Sequence, residues 1–334
     1  MTGFVSGNKL KPTFLPTQRR TPMKQREALP FVESTGSFAN GRYRGTRMPP
    51  PEWVEDLNER ESMYIRESIK VYNGRLLQPP PNLEANGFQL VDAGIQVKNL
   101  HDQDTVTTDF YQECSNLITA LTGCSETRML QHQYRNGFGG LPEGHPRGNK
   151  PTANGSEGTY GGIHADVSPY SEDGFEKIAD GKHFQMYNVW RSTNLEQDIF
   201  VMPLAVCDMA TVATEDIIAA DAWSQTETPR RLVSLRLVHS PNQRWYYFPR
   251  MTPQETLIFK QYDTRQEKSN MRTAFHGAIN DPTTPEDAPL RETIEVRLLA
   301  LFDEDTDREA RKARFKAEVP ETHADGKASA WLEK

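Results

Sequence analysis

Two residue types that ligate transition metals stand two positions apart in a short apolar run, Ile163-His164-Ala165-Asp166-Val167-Ser168. If the run is a strand, alternation places the His164 and Asp166 side chains on one face, one pleat apart, so that both converge on one point. An imidazole from a facing strand would complete a 2-His-1-carboxylate set, which leaves positions on Fe(II) open for a bidentate cosubstrate and O₂. His276, in the run MRTAFHGAI, is the natural candidate. The bare tripeptide is a weak signal, because His323-Ala324-Asp325 repeats it. That copy lies in a charged tail without strand pattern and without a later histidine, and it is read as a decoy.

Downstream of His276 the run Arg291-Glu292-Thr293-Ile294-Glu295-Val296-Arg297 alternates so that Arg291, Thr293, Glu295 and Arg297 share a face. A guanidinium fork donates two parallel hydrogen bonds to a carboxylate and a neighbouring hydroxyl can donate a third, which suits the distal carboxylate of 2-oxoglutarate. The competing reading is an Arg–Glu ladder on a solvated strand face. Among the other conspicuous residues, Arg135, Asn188, Trp190 and Arg191 are candidates to line a substrate pocket, with core packing or a buried ion pair as the alternative. Tyr246, Tyr247 and Phe248 read as core, and His101, His145, His183 and His239 as structural or exposed.

The elements that must position these residues are mostly strands. Beyond Arg128 the chain breaks into short β-like runs at near-regular spacing: RMLQHQYR, IHADVS, HFQMYNVWRS, IFVMPLAVCD, RRLVSLRLVH, RWYYFPRM, TLIFKQYD, MRTAFHGAI and TIEVRLLALF. That pattern argues a mainly β (α+β) sandwich or jelly-roll barrel over a βαβ sheet. A Gly/Pro-rich loop from Asn136 to Gly162 precedes His164. No Rossmann glycine fingerprint and no P-loop is present. Upstream, the spacing predicts a helix from Trp53 to Tyr72, a strand within Gly87–Val97, and an amphipathic helix over Thr108–Leu121 that stops at Thr122-Gly123.

Three regions follow: an irregular basic arm (1–50), one catalytic domain with a helical N-terminal part and a jelly-roll core (51–302), and a charged C-terminal helix and tail (303–334). The chain has 334 residues, 36% of them hydrophobic, and carries a net charge of −7. Residues 1–50 hold nine Lys/Arg against Glu27 and Glu33, so the acidic charge sits in the rest. A basic arm on an acidic body reads first as a solvated extension, and no nucleic-acid motif accompanies it. There is no 18-residue apolar window and no signal-peptide core, which argues a cytoplasmic protein without membrane partner. Cys114, Cys124 and Cys207 are far apart and read as reduced, buried thiols.

From Asn86-Gly87-Phe88-Gln89 to Phe302 the sequence resembles the fungal and bacterial oxygenase family typified by the aspergillic-acid hydroxylase/desaturase and the cephamycin methoxylation protein. The landmarks occur in order: NGFQL, His132-x-x-Arg135, His164-Ala165-Asp166, NVWR at Asn188–Arg191, PLAVCD at Pro203–Asp208, FPRMTPQETLIFKQYD at Phe248–Asp263, and DAPLRETIEVR at Asp287–Arg297. The resemblance implies a double-stranded β-helix (jelly-roll, cupin-like) core with flanking helices. It also implies Fe(II)/2-oxoglutarate-dependent oxidation of a small molecule in secondary metabolism: hydroxylation, desaturation or oxidative ring closure. By the same resemblance His164, Asp166 and His276 match the iron ligands, and Arg291 with Thr293 matches an arginine-x-serine pair for 2-oxoglutarate, with Thr293 where serine is usual.

Arg291 and Arg297 lie roughly 20 Å apart along an extended strand, so both cannot grip one five-carbon diacid. The loop over 279–290 returns the chain to the mouth where His276 ends its strand, which favours Arg291. Arg297 is then expected deeper, paired with Glu295 or packed near the far end. Two other functions stay open at this level: a jelly-roll metalloenzyme that does not use 2-oxoglutarate, and a non-catalytic binding module that uses its basic arm. A homo-oligomer is compatible with either.

Overall fold

The computed structural model describes residues 29–93, 97–138, 157–159, 161–168, 172–223 and 231–303. Among the described residues fifteen strands run in chain order: β1 (Phe31–Ala39), β2 (Arg47–Met48), β3 (Tyr64–Asn73), β4 (Phe88–Asp92), β5 (Glu126–Phe138), β6 (Glu157–Thr159), β7 (His164–Ala165) and β8 (His183–Ser192), then β9 (Leu204–Cys207), β10 (Ile217–Trp223), β11 (Arg231–Leu237), β12 (Trp245–Tyr247), β13 (Glu255–Asp263), β14 (His276–Ala278) and β15 (Glu292–Phe302). The longer α-helices among the described residues are α1 (Leu57–Glu61), α2 (Tyr111–Thr122), which a short α turn (Gln103–Thr105) and a π turn (Val106–Phe110) lead into, and α3 (Glu172–Ala179). One sheet has the order β1-β3-β12-β9-β14-β7-β11-β10-β2 and the other β4-β13-β8-β15-β5-β6. This is the jelly roll expected from the sequence.

The two sheets enclose an apolar cluster that includes Phe88, Trp190, Leu204, Val206, Leu257 and Phe259. Alternation sorts the second sheet cleanly: Tyr134, Tyr187, Val189, Ile258, Ile294, Val296 and Leu298 face outward under α2, where Phe110, Cys114 and Ile118 cover them. α2 agrees with the helix expected over 108–121, and Gly123, at φ +68°, ends it in the left-handed conformation glycine accepts without penalty.

The N-terminal half departs from the sequence reading. The helix expected over 53–72 is confined to Leu57–Glu61, and β3 follows from Tyr64. β3 pairs with β1 over its whole length, Phe31 opposite Tyr72 and Ala39 opposite Tyr64, and Ile69 and Val71 are buried. β-branched residues at alternate positions fit that pleated surface better than a helix face.

The arm boundary at residue 50 is likewise wrong for its second half. In β1 the alternate residues Val32, Ser34 and Phe38 are buried, and Ser37 and Ala39 bridge to Gly162 and Val238, bringing this edge strand of the first sheet beside the ends of β7 and β11. Two of the arm's cations are anchors: Arg47 pairs with buried Asp221 at 2.6 Å and Arg44 with Asp216 at 2.6 Å. Residues 1–28, the body of the Gly/Pro-rich loop (139–156), His145, and the C-terminal segment 304–334 with His323 and Asp325 lie outside the described residues. No described helix is long and apolar enough to cross a membrane.

Candidate metal centre and its pocket

β7 and β14 are antiparallel neighbours, and His164 stands directly opposite His276 in their register. The residues between, Ala165 and Gly277, face the other way. The two imidazoles are therefore cross-strand partners on the barrel's inner face, with ring centroids 4.4 Å apart. Gly277 makes the approach possible: a Cβ there would meet Ile163 Cδ1 at 3.0 Å and Gly162 O at 3.1 Å.

Each ring is oriented through its Nδ1, which donates to Gly162 O (2.9 Å) in His164 and to Ala274 O (3.3 Å) in His276. That leaves both Nε2 lone pairs turned to one point, where Asp166 Oδ1 lies 3.4 Å from His164 Nε2 and Asp166 Oδ2 lies 3.9 Å from His276 Nε2. One ligand atom from each of the three residues falls within 4.8 Å of the others. Burial, with the neighbouring His164, pulls His276 down to about 3, so it is the neutral ligating form at neutral pH. The donor set of two imidazole nitrogens and one carboxylate, with carbonyls behind the rings, fits Fe(II).

Asp166 is held from the opposite sheet. Its amide donates to Gln261 Oε1 (3.0 Å), while Oδ2 accepts from Asn188 Nδ2 (3.2 Å) and Arg297 Nη2 (2.7 Å). Arg297 Nε also donates to Asn188 Oδ1 (3.1 Å), and Arg297 stands opposite Asn188 in the β15–β8 register. Burial alone would raise the Asp166 carboxyl, but the Arg297 guanidinium and the two imidazoles outweigh it and hold the group well below the usual carboxylate range. Arg297 does pair with Glu295, at 3.6 Å, as expected. Of the two placements expected for it, the pairing with Glu295 is the one found, and the guanidinium also sits against the Asp166 carboxylate. Alternation put Arg297 on the correct face; the depth of the metal along the barrel was the missing quantity.

Six residues earlier, Arg291 is buried, lies over the Trp190 ring (5.3 Å) and donates Nη1 to Met202 O (2.5 Å); its Nε has no partner among the described residues. Burial and the nearby Arg135 charge lower Arg291 to about 9. Burial and the charge of Asp166 raise Glu295, which faces the same interior. Thr293 Oγ1, on the same strand face as Arg291, donates to Arg135 O (2.9 Å).

The four candidate substrate residues divide. Trp190 belongs to the interior cluster, and Arg135 shares an inner β5 face with Gln133, to which its Nη2 donates (3.1 Å). Asn188 is committed to Asp166 and Arg297. Arg191 points out of the barrel toward α2, as alternation along β8 requires, so it does not line this pocket. His132 likewise faces out, with its Nδ1 2.9 Å from Tyr111 Oη. Arg297 is the partner of Asp166 that the motif alone missed, while Asn188, a candidate for the substrate pocket, is found bonded to the same carboxylate.

Over residues 36–301 the chain matches the family model described as oxidoreductase/YMDC permease-like domain. It is 29% identical over 279 residues to the hydroxylase/desaturase efuI of Hormonema carpetanum, covering 74% of this chain and 87% of that one. It is 26% identical over 252 residues to the Fe(II)/2-oxoglutarate-dependent dioxygenase nvfI of Aspergillus novofumigatus, covering 70% and 82%. Among solved structures it is similar to the iron and alpha-ketoglutarate-dependent endoperoxidase NvfI, with TM-score 0.65 and 22% identity over 82% of this chain and 98% of that one.

Proposed function

The chain belongs to the oxidoreductase/YMDC permease-like domain family, and from that membership and the His164–Asp166–His276 centre we propose that it is a non-haem Fe(II)/2-oxoglutarate-dependent oxygenase. It oxidises a small molecule in secondary metabolism. The observation that carries this is the pair of carbonyl-oriented imidazoles whose Nε2 atoms meet the Asp166 carboxylate inside a jelly roll.

His164 Nε2, His276 Nε2 and Asp166 hold the metal. When bound, Fe(II) with 2-oxoglutarate and O₂ supplies an oxidant able to take hydrogen from an unactivated carbon, with 2-oxoglutarate decarboxylated to succinate. The chain's own work is positional. Arg297 and Asn188 fix the Asp166 carboxylate through Oδ2, leaving Oδ1 beside His164. Two interior guanidiniums, Arg291 and Arg135, influence one another through space. Placing like charges together in a buried site favours an anion beside them, and the distal carboxylate of 2-oxoglutarate fills that role, with Arg291 as its anchor. Thr293 contributes by tying β15 to the Arg135 carbonyl. Trp190, under the Arg291 guanidinium, walls the same interior and excludes water from it. Hydroxylation, desaturation and oxidative ring closure are all open to such a site.

We place the enzyme in the cytoplasm, acting on a small molecule without nucleic acid or membrane. In support, Arg44 and Arg47 of the basic arm are spent on Asp216 and Asp221.

The test is succinate release from 2-oxoglutarate by the iron-loaded protein. Release that requires iron, vanishes in Asp166→Ala and His276→Ala, and persists in His323→Ala is the expected result. Metal-dependent turnover without succinate would overturn it.

A further inference from the structure

On the outer side of the second sheet, beneath α2, lies a cavity of about 320 Å³ that the metal centre does not use. Asn188 and Trp190 of β8 point into the barrel, whereas Val189 and Arg191 line this outer space; on β13, Leu257 points in and Thr256 out. The sheet itself therefore separates the cavity from the iron ligands.

The polar groups here are unusual for a space between a helix and a sheet. Arg191 is 2% exposed and Thr256 0%. Arg191 donates Nη2 to Pro253 O (3.0 Å), but its Nε and the Thr256 hydroxyl have no hydrogen-bond partner among the described residues. No carboxylate of the described residues lies within ion-pair distance of the guanidinium; Glu113, which lines the same space, acts on it from further away, and the guanidinium carbon lies 5.6 Å from the centroid of the Phe110 ring. A buried guanidinium that no carboxylate contacts directly carries a desolvation cost, and each orphaned buried donor costs about 1 to 3 kcal/mol more. Burial lowers Arg191 from its ordinary value, outweighing the opposing pull of the neighbouring acidic groups, Glu113 among them. Costs of this kind persist at binding sites, where function opposes stability.

We propose that this cavity is a second small-molecule site that takes a monocarboxylate with a compact apolar body. The guanidinium fork and the Thr256 hydroxyl supply parallel donors for one carboxylate. Phe110, Leu117 and Val189 supply apolar wall. Glu113, whose Oε1 already accepts from the Val97 amide (3.0 Å), also lines the cavity and disfavours a second negative charge. Dicarboxylates such as 2-oxoglutarate and succinate are thereby turned away, which keeps the two sites chemically distinct.

The experiment is a calorimetric titration of the full-length protein with phenylacetate and 4-methylpentanoate, against succinate and the two corresponding primary amides. At least one monocarboxylate binds saturably at one site, and succinate and the amides bind about tenfold weaker or not at all. Arg191→Met and Arg191→Lys weaken binding by about tenfold or more, Thr256→Val weakens it several-fold, and Asp166→Ala leaves it unchanged. Arg191→Met melts at or above the wild-type temperature, since it removes a buried charge whose desolvation outweighs the distant attraction of Glu113. The proposal is overturned if neither monocarboxylate saturates, if binding survives Arg191→Lys and Thr256→Val, or if it disappears in Asp166→Ala. A fall in melting temperature for Arg191→Met with binding intact in the other two variants also overturns it, by assigning the arginine to structure.

Discussion

Asp166 uses its two oxygens differently: Oδ2 is bound by Arg297 and Asn188, and Oδ1 faces His164. Partners behind a ligand hold its geometry, and losing one typically costs about 10- to 100-fold in metal affinity. Arg297→Met is therefore expected to weaken Co(II) binding by that range, read from the visible spectrum during titration; a change under about twofold would show that the carboxylate holds its place unaided. Arg291 carries a separate expectation. Arg291→Lys keeps charge but loses the fork, and with each hydrogen bond to a charged group worth about 1.5 to 3 kcal/mol, the 2-oxoglutarate concentration for half-maximal succinate release should rise about tenfold or more. Arg297→Lys, assayed at saturating metal, should leave that requirement near wild type; the reverse pattern would make Arg297 the anchor. Alternation assigned both arginines to the inner face. It does not encode how deep the metal lies, so the contact between Arg297 and Asp166 emerges only from the register of β15 with β8, and the same alternation along NVWR turns Arg191 away from the face of Asn188 and Trp190.

β8 and β15 were legible because apolar and aromatic residues recur densely over a strand-length run, Phe184, Met186, Tyr187, Val189 and Trp190 in β8, which spans His183–Ser192 as expected, and Ile294, Val296 and Leu298 onward in β15. β1 and β3 were not, since each buries only one face and reads as polar sequence with scattered apolar residues. What makes them strands is mutual pairing across an intervening 24 residues, from Ala39 to Tyr64, which no local window contains. The consequence for truncation reverses the solvated-arm view. Phe38 is 1% exposed and packs edge-on against Trp245, with ring centroids 5.8 Å apart. Phe38→Ala should cost about 3 to 5 kcal/mol in denaturant unfolding. Deletion through Ala39 should abolish cooperative folding. A shortened protein with an undiminished unfolding midpoint would show that β1 adds nothing to the core.

Across the whole molecule, the metal centre belongs to no single element: β7 and β14 bring the imidazoles from one sheet, while β8 and β15 bring the groups that grip Asp166 from the other. Metal binding should therefore fasten the sheets together. A ligand that binds only the folded state stabilises it by mass action, so Co(II) is expected to raise the melting temperature of the wild type and not of Asp166→Ala. Equal stabilisation of both would place the metal elsewhere. The most direct measurement is anaerobic visible spectroscopy of the protein with Fe(II) and 2-oxoglutarate added together. A charge-transfer band that needs both additions, is absent in His164→Ala, Asp166→Ala and His276→Ala, and is retained in His323→Ala is the expected result. No band in the wild type, or a band that survives loss of His276, would contradict the assignment of these three residues as the iron and 2-oxoglutarate centre.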